Sequence, residues 1–258
     1  MINKIYKSVL ITGASSGIGL ETLKRFFNEN ITIYALDKNV SKLEKLKRKY
    51  KFNIIQMNLC DTDEIYNKLS KLKVDIIICN AGIGRGAEGI LKASRKDIEI
   101  STKLNVESYL HTLKAIVPGM IKRRKGHVVL MGSLAGLYPQ ISSVYGGQKG
   151  AIHRIAQSLR IELSGSRVKV SEICPGRTKT NFGKSAFKNK DKAKKFMSGF
   201  TLLEPRDIAD AIMFSLSVRW RSNISTIEIS GTEQSPGCLL YTSPSPRALS
   251  TSRMPASA

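Results

Sequence analysis

Histidine is scarce in this 258-residue chain, with only His111, His127 and His153, and tryptophan occurs once. Chemistry that needs several imidazoles has little to draw on. Cys60, Cys79, Cys174 and Cys238 are scattered, with no Cys-x-x-Cys spacing and no neighbouring histidine. That distribution argues against a metal site or a disulfide framework and reads as free thiols in a reducing compartment. No apolar run reaches the roughly eighteen residues that a membrane-crossing helix needs. The amino-terminal stretch MINKIYKSVLITG runs straight into a glycine motif, without the apolar region and cleavage site of a secretory signal. A cytoplasmic protein with no membrane partner is expected. Acidic residues are also few: 20 Asp and Glu stand against 42 Lys and Arg, a net charge of +22.

Such a surplus suits nucleic acid, an acidic membrane surface or an acidic protein partner. The basic runs lie at 42–51, 122–125 and 184–195. In the first, Leu43 and Leu46 make a helical apolar stripe and the lysines a solvated face. No recognition motif and no series of stacking aromatics accompanies the charge, so nucleic acid is not the expected partner.

Short apolar runs alternate with amphipathic stretches. Strands are predicted at 8–12, 31–36, 53–57, 74–79, 126–131, 168–173 and 225–229, and helices at 17–28, 41–50, 63–72, 103–122, 144–163 and 205–217. Most strand candidates are continuously apolar, as in a parallel sheet covered on both faces. The alternation predicts a single Rossmann-type α/β domain, a doubly wound parallel sheet with helices on both faces and a ligand crevice at the carboxyl ends of the strands. Residues 178–203 break the rhythm and read as a lid over a substrate, with a merely disordered loop as the competing reading. From Cys238 the chain turns to Ser, Pro and Arg (CLLYTSPSPRALSTSRMPASA). The expected division is a domain over 1–237 and a non-native or disordered tail over 238–258.

Thr12-Gly13-Ala14-Ser15-Ser16-Gly17-Ile18-Gly19 follows the first strand and opens a helix, the context a dinucleotide-binding loop requires. Glycine allows the tight turn and close approach to a pyrophosphate, and the helix start offers free N–H groups. Asp37 lies eighteen residues past Gly19, at the end of the second strand. Its carboxylate suits the ribose hydroxyls of NAD, whereas Lys38 beside it suits the extra phosphate of NADP. Asn80-Ala81-Gly82 closes the fourth strand, where a turn also brings backbone close to a cofactor. Ser133 follows the fifth strand as a turn serine or as a hydroxyl aimed at a substrate oxygen. Tyr145 and Lys149 share one helical face. A phenol with a pKa of about 10 needs its anion stabilised to work near neutrality, and an ammonium can do that. The spacing alone means little, since Tyr34 and Lys38 repeat it at a strand end.

Glycine loop, Asn-Ala-Gly, serine and Tyr-x-x-x-Lys in this order resemble the short-chain dehydrogenase/reductase family over residues 5–235. Met120, Gly132-Ser133-Leu134-Ala135-Gly136, Pro205-Arg206-Asp207-Ile208-Ala209 and 223–229 look most like its 3-hydroxy-acid and serine dehydrogenase branch, which commonly uses NADP. The resemblance implies an oxidoreductase moving a hydride between NAD or NADP and a secondary alcohol or ketone, with a small hydroxy acid as substrate. It implies a catalytic tetrad of Asn105, Ser133, Tyr145 and Lys149: Asn105 supports a water relay to Lys149, Ser133 polarises the carbonyl, Tyr145 transfers the proton, and Lys149 lowers its pKa and holds the nicotinamide ribose. It places Gly13, Ser15, Ser16, Gly17, Ile18, Gly19, Asp37, Lys38, Asn58, Leu59, Asn80, Ala81, Gly82, Pro175, Gly176, Thr178 and Thr180 along the cofactor. A homodimer or homotetramer is the usual assembly.

Departures from the family pattern include Gly146-Gly147-Gln148 between Tyr and Lys, where the glycines would give the cofactor room, Asn58 for an aspartate near the adenine, Ser108 for a glycine and Thr178 for an aliphatic residue. Arg177 or a lysine of 184–195 is a candidate partner for a substrate carboxylate, against the plainer reading of a solvated surface residue. Two other readings stand beside this one. The substrate is a 3-oxoacyl group on an acidic carrier protein docked at Lys122-Arg123-Arg124-Lys125, or the chain is a non-enzymatic cofactor-binding or nucleic-acid-binding protein on the same scaffold.

Overall fold

The computed structural model of the protein describes residues 2–187 and 189–234; the expected tail lies outside the described residues. After a short 3-10 turn at Ile2–Lys4, strand and helix alternate as β1 (Ser8–Thr12), α1 (Gly17–Phe26), β2 (Thr32–Asp37), α2 (Ser41–Lys47), β3 (Asn53–Gln56), α3 (Thr62–Leu69) and β4 (Ile76–Cys79). There follow α4 (Arg95–Thr102), a π-helical turn at Lys103–Glu107, α5 (Ser108–Arg123), β5 (Gly126–Met131), α6 (Leu134–Leu137), α7 (Ser143–Glu162) and β6 (Val168–Pro175). The chain then forms α8 (Phe182–Ala186), α9 (Lys190–Phe196), α10 (Pro205–Ser217) and β7 (Thr226–Ile229).

The seven strands pair in parallel in the order β3-β2-β1-β4-β5-β6-β7. Side chains of a strand point alternately to its two faces, and both faces are filled. Leu10 enters a cluster with Ile65 and Leu69 of α3, Ile116 and Met120 of α5 and Ile152 of α7. Its neighbours Val9 and Ile11 enter the opposite cluster with Leu23 and Phe26 of α1, Leu43 of α2 and Ile212 of α10. Each such large apolar side chain contributes roughly 1.5–3 kcal/mol on burial. This two-sided burial explains why most of the strand sequences are largely apolar, β6 with Lys169, Ser171 and Glu172 being the clearest exception.

Strand order reverses between β1 and β4, so the loops leaving their carboxyl ends diverge and leave a crevice. The glycine loop follows β1 and Asn80-Ala81-Gly82 follows β4, which places both expected motifs at that reversal.

Several boundaries move. β2 reaches Asp37 rather than ending at Leu36, and β6 runs on to Pro175. Helix α4 lies in a stretch with no predicted element, started by a capping box in which Ser94 and Asp97 satisfy one another's backbone N–H groups. The predicted 103–122 helix opens as the π-helical turn. The 178–203 segment carries α8, α9 and a bridge between Thr178 and Leu203.

Candidate active site

One cleft of about 1160 Å³ runs across the carboxyl ends of the strands, from the glycine loop and Asp37 to Ser133, Tyr145 and the 178–203 segment. Among the predicted site residues, Gly13, Ser15, Ser16, Gly17, Ile18, Asp37, Lys38, Asn58, Leu59, Asn80, Ala81, Gly82, Ser133, Tyr145, Lys149, Pro175, Gly176, Thr178 and Thr180 all line it; Gly19 and Asn105 stand behind the wall.

The glycine loop is shaped by close backbone approach. Gly13 has φ +68°, and a Cβ on it would stand 2.9 Å from the Ala81 Cα. A Cβ on Gly19 would lie 2.2 Å from the Gly13 carbonyl oxygen, so Gly19 permits helix-to-loop packing rather than contact with a ligand. Thr12 and Asn80 tie the two loops together: Thr12 Oγ1 accepts from the Asn80 and Ala81 N–H groups at 3.0 and 3.1 Å, and Asn80 Nδ2 donates to the Thr12 carbonyl at 2.9 Å. Ser16 caps α1 without a side-chain hydrogen bond. The first-turn N–H groups therefore face the cleft unclaimed by the cap, as a bound pyrophosphate requires.

At the adenosine end, Asp37 accepts from the Ser15 N–H at 3.1 Å through one carboxylate oxygen and from the Asn39 N–H at 3.2 Å through the other. This fixes a negative charge beside the glycine loop, with Lys38 exposed next to it. Asn58 Oδ1 accepts from the Cys60 N–H at 3.1 Å, closing a local turn. The groups present fit an adenine dinucleotide: glycine cradle, open helix start, acid at the strand end and a long groove between them.

At the other end, β5 delivers Ser133 and α7 delivers Tyr145 and Lys149. Ser133 Oγ accepts from the Ala135 N–H at 3.1 Å, capping α6, and is hydrogen-bonded to the Tyr145 hydroxyl. Lys149 Nζ donates to the Met131 carbonyl at 2.7 Å and stands 6.0 Å from the Tyr145 ring centroid. Burial pushes the Tyr145 phenol up to about 12, opposed by the Ser133 hydrogen bond. Burial likewise brings the Lys149 ammonium down to about 8, opposed by Cys174 and Glu172. Of the two effects on the phenol, burial is the larger.

Asn105 is fully buried in the π-helical turn. Its Nδ2 donates to the Ile83 carbonyl and to Gln148 Oε1 at 2.9 and 2.8 Å, and its Oδ1 accepts from the Ile83 N–H at 2.9 Å. The carboxamide thus faces Ile83 and Gln148, with Gly82 between it and Lys149: a Cβ on Gly82 would stand 3.1 Å from Asn105 Oδ1 and 4.0 Å from Lys149 Nζ. Gln148, read as a departure from the family pattern, continues this network to Ser101 Oγ at 2.8 Å and Thr102 Oγ1 at 3.1 Å. The two glycines before it differ from expectation as well. A Cβ on Gly146 would stand 3.0 Å from the Ala135 carbonyl, so that glycine makes room for α6.

The 178–203 segment folds onto the cleft. Phe182 packs edge-on against Tyr145 at 5.0 Å, and Ser185 Oγ accepts from the Gly84 N–H at 3.0 Å. Arg177 is buried, not a solvated surface residue: it donates to the Phe196 carbonyl at 2.9 Å, and its guanidinium lies over the Phe196 and Phe200 rings at 4.5 and 5.0 Å. Lys192 pairs with Glu88 at 2.9 Å, while Arg85, Lys92, Lys184 and Lys195 also line this half of the cleft. The basic run at the end of α5 is largely engaged in internal contacts. Arg123 donates to the Val74 carbonyl at 2.6 Å, Arg124 to the Gly165 carbonyl at 3.3 Å, and Lys125 pairs with Asp75 at 2.8 Å. Among the described residues no helix is long and apolar enough to cross a membrane, and no group of three His, Cys, Asp or Glu side chains could hold a metal ion.

Residues 7–191 match the family model described as short chain dehydrogenase. Over 237 residues the chain is 32% identical to the NADP-dependent 3-hydroxy acid dehydrogenase of Escherichia coli K12, covering 88% of this chain and 96% of that protein. It is 29% identical over 233 residues to an uncharacterized short-chain type dehydrogenase/reductase of Sinorhizobium fredii, covering 90% and 94%. The solved closed form of a serine dehydrogenase complexed with NADP+ matches with a TM-score of 0.82 at 31% identity, over 86% of this chain and 94% of that one. A 4-hydroxyisoleucine dehydrogenase complexed with NADH matches with a TM-score of 0.76 at 25% identity, over 87% and 97%.

Proposed function

The chain belongs to the short-chain dehydrogenase family of NAD(P)-dependent oxidoreductases, and on that premise we propose that it interconverts a small hydroxy acid and its oxo acid through Ser133, Tyr145, Lys149 and Asn105. The observation that carries this reading is the meeting of Ser133, Tyr145 and Lys149 at one end of a cleft whose other end is the glycine loop. The relatives named for 3-hydroxy acid, serine and 4-hydroxyisoleucine oxidation support the substrate class. So does the basic lining of Arg85, Lys92, Lys184 and Lys195, which would attract and pair a substrate carboxylate.

When bound, the nicotinamide gives or takes the hydride. Ser133, whose oxygen accepts from Ala135, would turn its hydroxyl proton from Tyr145 to the substrate oxygen, where charge develops. Tyr145 gives that oxygen its proton in reduction and removes it in oxidation. Lys149, as an ammonium, favours the phenolate and would hold the nicotinamide ribose. Asn105 acts through the Ile83 backbone and Gln148, fixing the wall that the substrate meets. The charge of Asp37 supports NAD, as does the 4-hydroxyisoleucine dehydrogenase complexed with NADH, whereas the 3-hydroxy acid dehydrogenase and the serine dehydrogenase complex support NADP, and both forms are assigned to the same groove. A homodimer or homotetramer is part of this reading, supported by Leu110 and Ile121 of α5 and Ile161 of α7, exposed at 46, 42 and 77%. So is a cytoplasmic protein, supported by the free thiols Cys60, Cys79 and Cys174, with 1–237 as its one domain. Turnover of NAD and NADP against a panel of 2- and 3-hydroxy acids and neutral alcohols tests the proposal; preference for neutral alcohols would reject the substrate class.

A further inference from the structure

Beneath the reaction centre lies a carboxylate that hydride transfer leaves unused. Glu172 of β6 is fully buried. Its Oε2 accepts from His153 Nδ1 at 2.7 Å, while Oε1 has no hydrogen-bond partner among the described residues. A buried anion satisfied on only one oxygen is costly unless a charge of opposite sign stands near.

The groups facing it come from four elements. On its own strand Cys174 stands beside it; burial, then Glu172, push that thiol up, and it acts on Lys149 alongside Glu172. On β7, Glu228 is a second acid, engaged by the Tyr138 hydroxyl at 2.7 Å. From the end of β5, Gly132 covers the carboxylate: a Cβ there would stand 2.3 Å from Glu172 Oε1 and 2.8 Å from Cys174 Sγ. From α7 come Lys149 and His153, four residues apart and so on one helical face. Lys149 is the candidate cation of the set, and Cys174 and Glu172 both act on it electrostatically.

We propose that Glu172 is a positioning residue, its buried carboxylate serving as the counter-charge that keeps Lys149 protonated and aimed at Met131, with His153 linking that carboxylate to the outer part of α7. This rests on the proposed role of Lys149. Three successive residues at the end of β5 each hold one group: the Met131 carbonyl takes the ammonium, Gly132 leaves space for the carboxylate, and the Ser133 hydroxyl takes the phenol. His153 donates through Nδ1 to Glu172 and accepts from Gln157 Nε2 at 2.9 Å, as a neutral imidazole does. The Gln157 Oε1 is buried without a partner among the described residues.

The test is an NMR titration of the unliganded full chain carrying lysine labelled with 13C at Cε, the Lys149 resonance being identified by its loss in Lys149→Met. Wild type is expected to titrate near the 8 indicated by its burial. Glu172→Gln lowers that midpoint by about one pH unit, the scale of losing a close opposite charge. Glu172→Asp, which keeps the charge but withdraws it by one methylene, falls between and serves alone if Glu172→Gln does not fold. An unchanged or raised midpoint in a folded variant overturns the proposal, even if stability or turnover falls. The readout needs no turnover, so its failure is distinct from failure of the dehydrogenase reading, which substitution of Tyr145 tests.

Discussion

Lys149 donates a hydrogen bond to the Met131 carbonyl at 2.7 Å and holds its charge 6.0 Å from the centre of the Tyr145 ring. The ammonium is thus anchored to strand β5 and acts on the phenol through space. Burial leaves Tyr145 at about 12, so near neutrality the phenol is protonated, the form needed to donate in reduction. Oxidation needs the phenolate. Its kcat/KM is expected to rise about tenfold per pH unit below the working pKa of Tyr145, while that of reduction stays flat or falls. Profiles of both directions between pH 6 and 10 check this; oxidation independent of pH would contradict it.

Asn105→Ala strands both backbone groups of Ile83 and the Gln148 oxygen in a buried site. A loss of roughly 2–4 kcal/mol is expected, seen as a Tm lower by roughly 5–12 °C for a chain of this size. A thermal melt measures it, and an unchanged Tm would mean that the carboxamide network is not structural.

Arg177 holds the 178–203 segment through the Phe196 carbonyl and two aromatic rings. Each cation–π contact is worth about 0.5–2 kcal/mol. Arg177→Leu is expected to raise substrate KM about tenfold, with cofactor affinity little changed, and to speed tryptic cleavage among the lysines of α9. Equal cleavage rates would show that the segment is held elsewhere.

Asp37 bears on the choice between the two dinucleotides. Asp37→Asn removes a negative charge from the place a ribose phosphate would approach and is expected to move the NADP-to-NAD ratio of kcat/KM toward NADP by roughly tenfold. Steady-state kinetics with both cofactors decide it; an unchanged ratio would assign the discrimination to other groups, Lys38 first.

The sheet was legible because strands covered on both faces are largely apolar, as Ile76–Cys79 is throughout and Gly126–Met131 is apart from His127. The glycine loop was legible because its spacing answers to backbone clashes that a methyl group would cause. Helix α4 escaped because Arg95–Thr102 buries only Asp97 and Ser101 and carries no apolar stripe; its available signal was Ser94-x-x-Asp97. Contacts between distant residues left no local trace. Gln148 meets Asn105 across 43 positions, and Glu172 is an acid in an apolar strand whose meaning depends on His153 and Lys149 arriving from α7. Arg177 looked like a surface cation because its aromatic partners come from beyond α8.

The central claim is that Tyr145 moves the proton. Single-turnover hydride transfer at pH 7 should be compared for wild type and Tyr145→Phe, with cofactor Kd measured alongside. The account predicts a rate lower by about 10²–10⁴-fold with Kd nearly unchanged. A wild-type rate in the folded, cofactor-binding variant would contradict it.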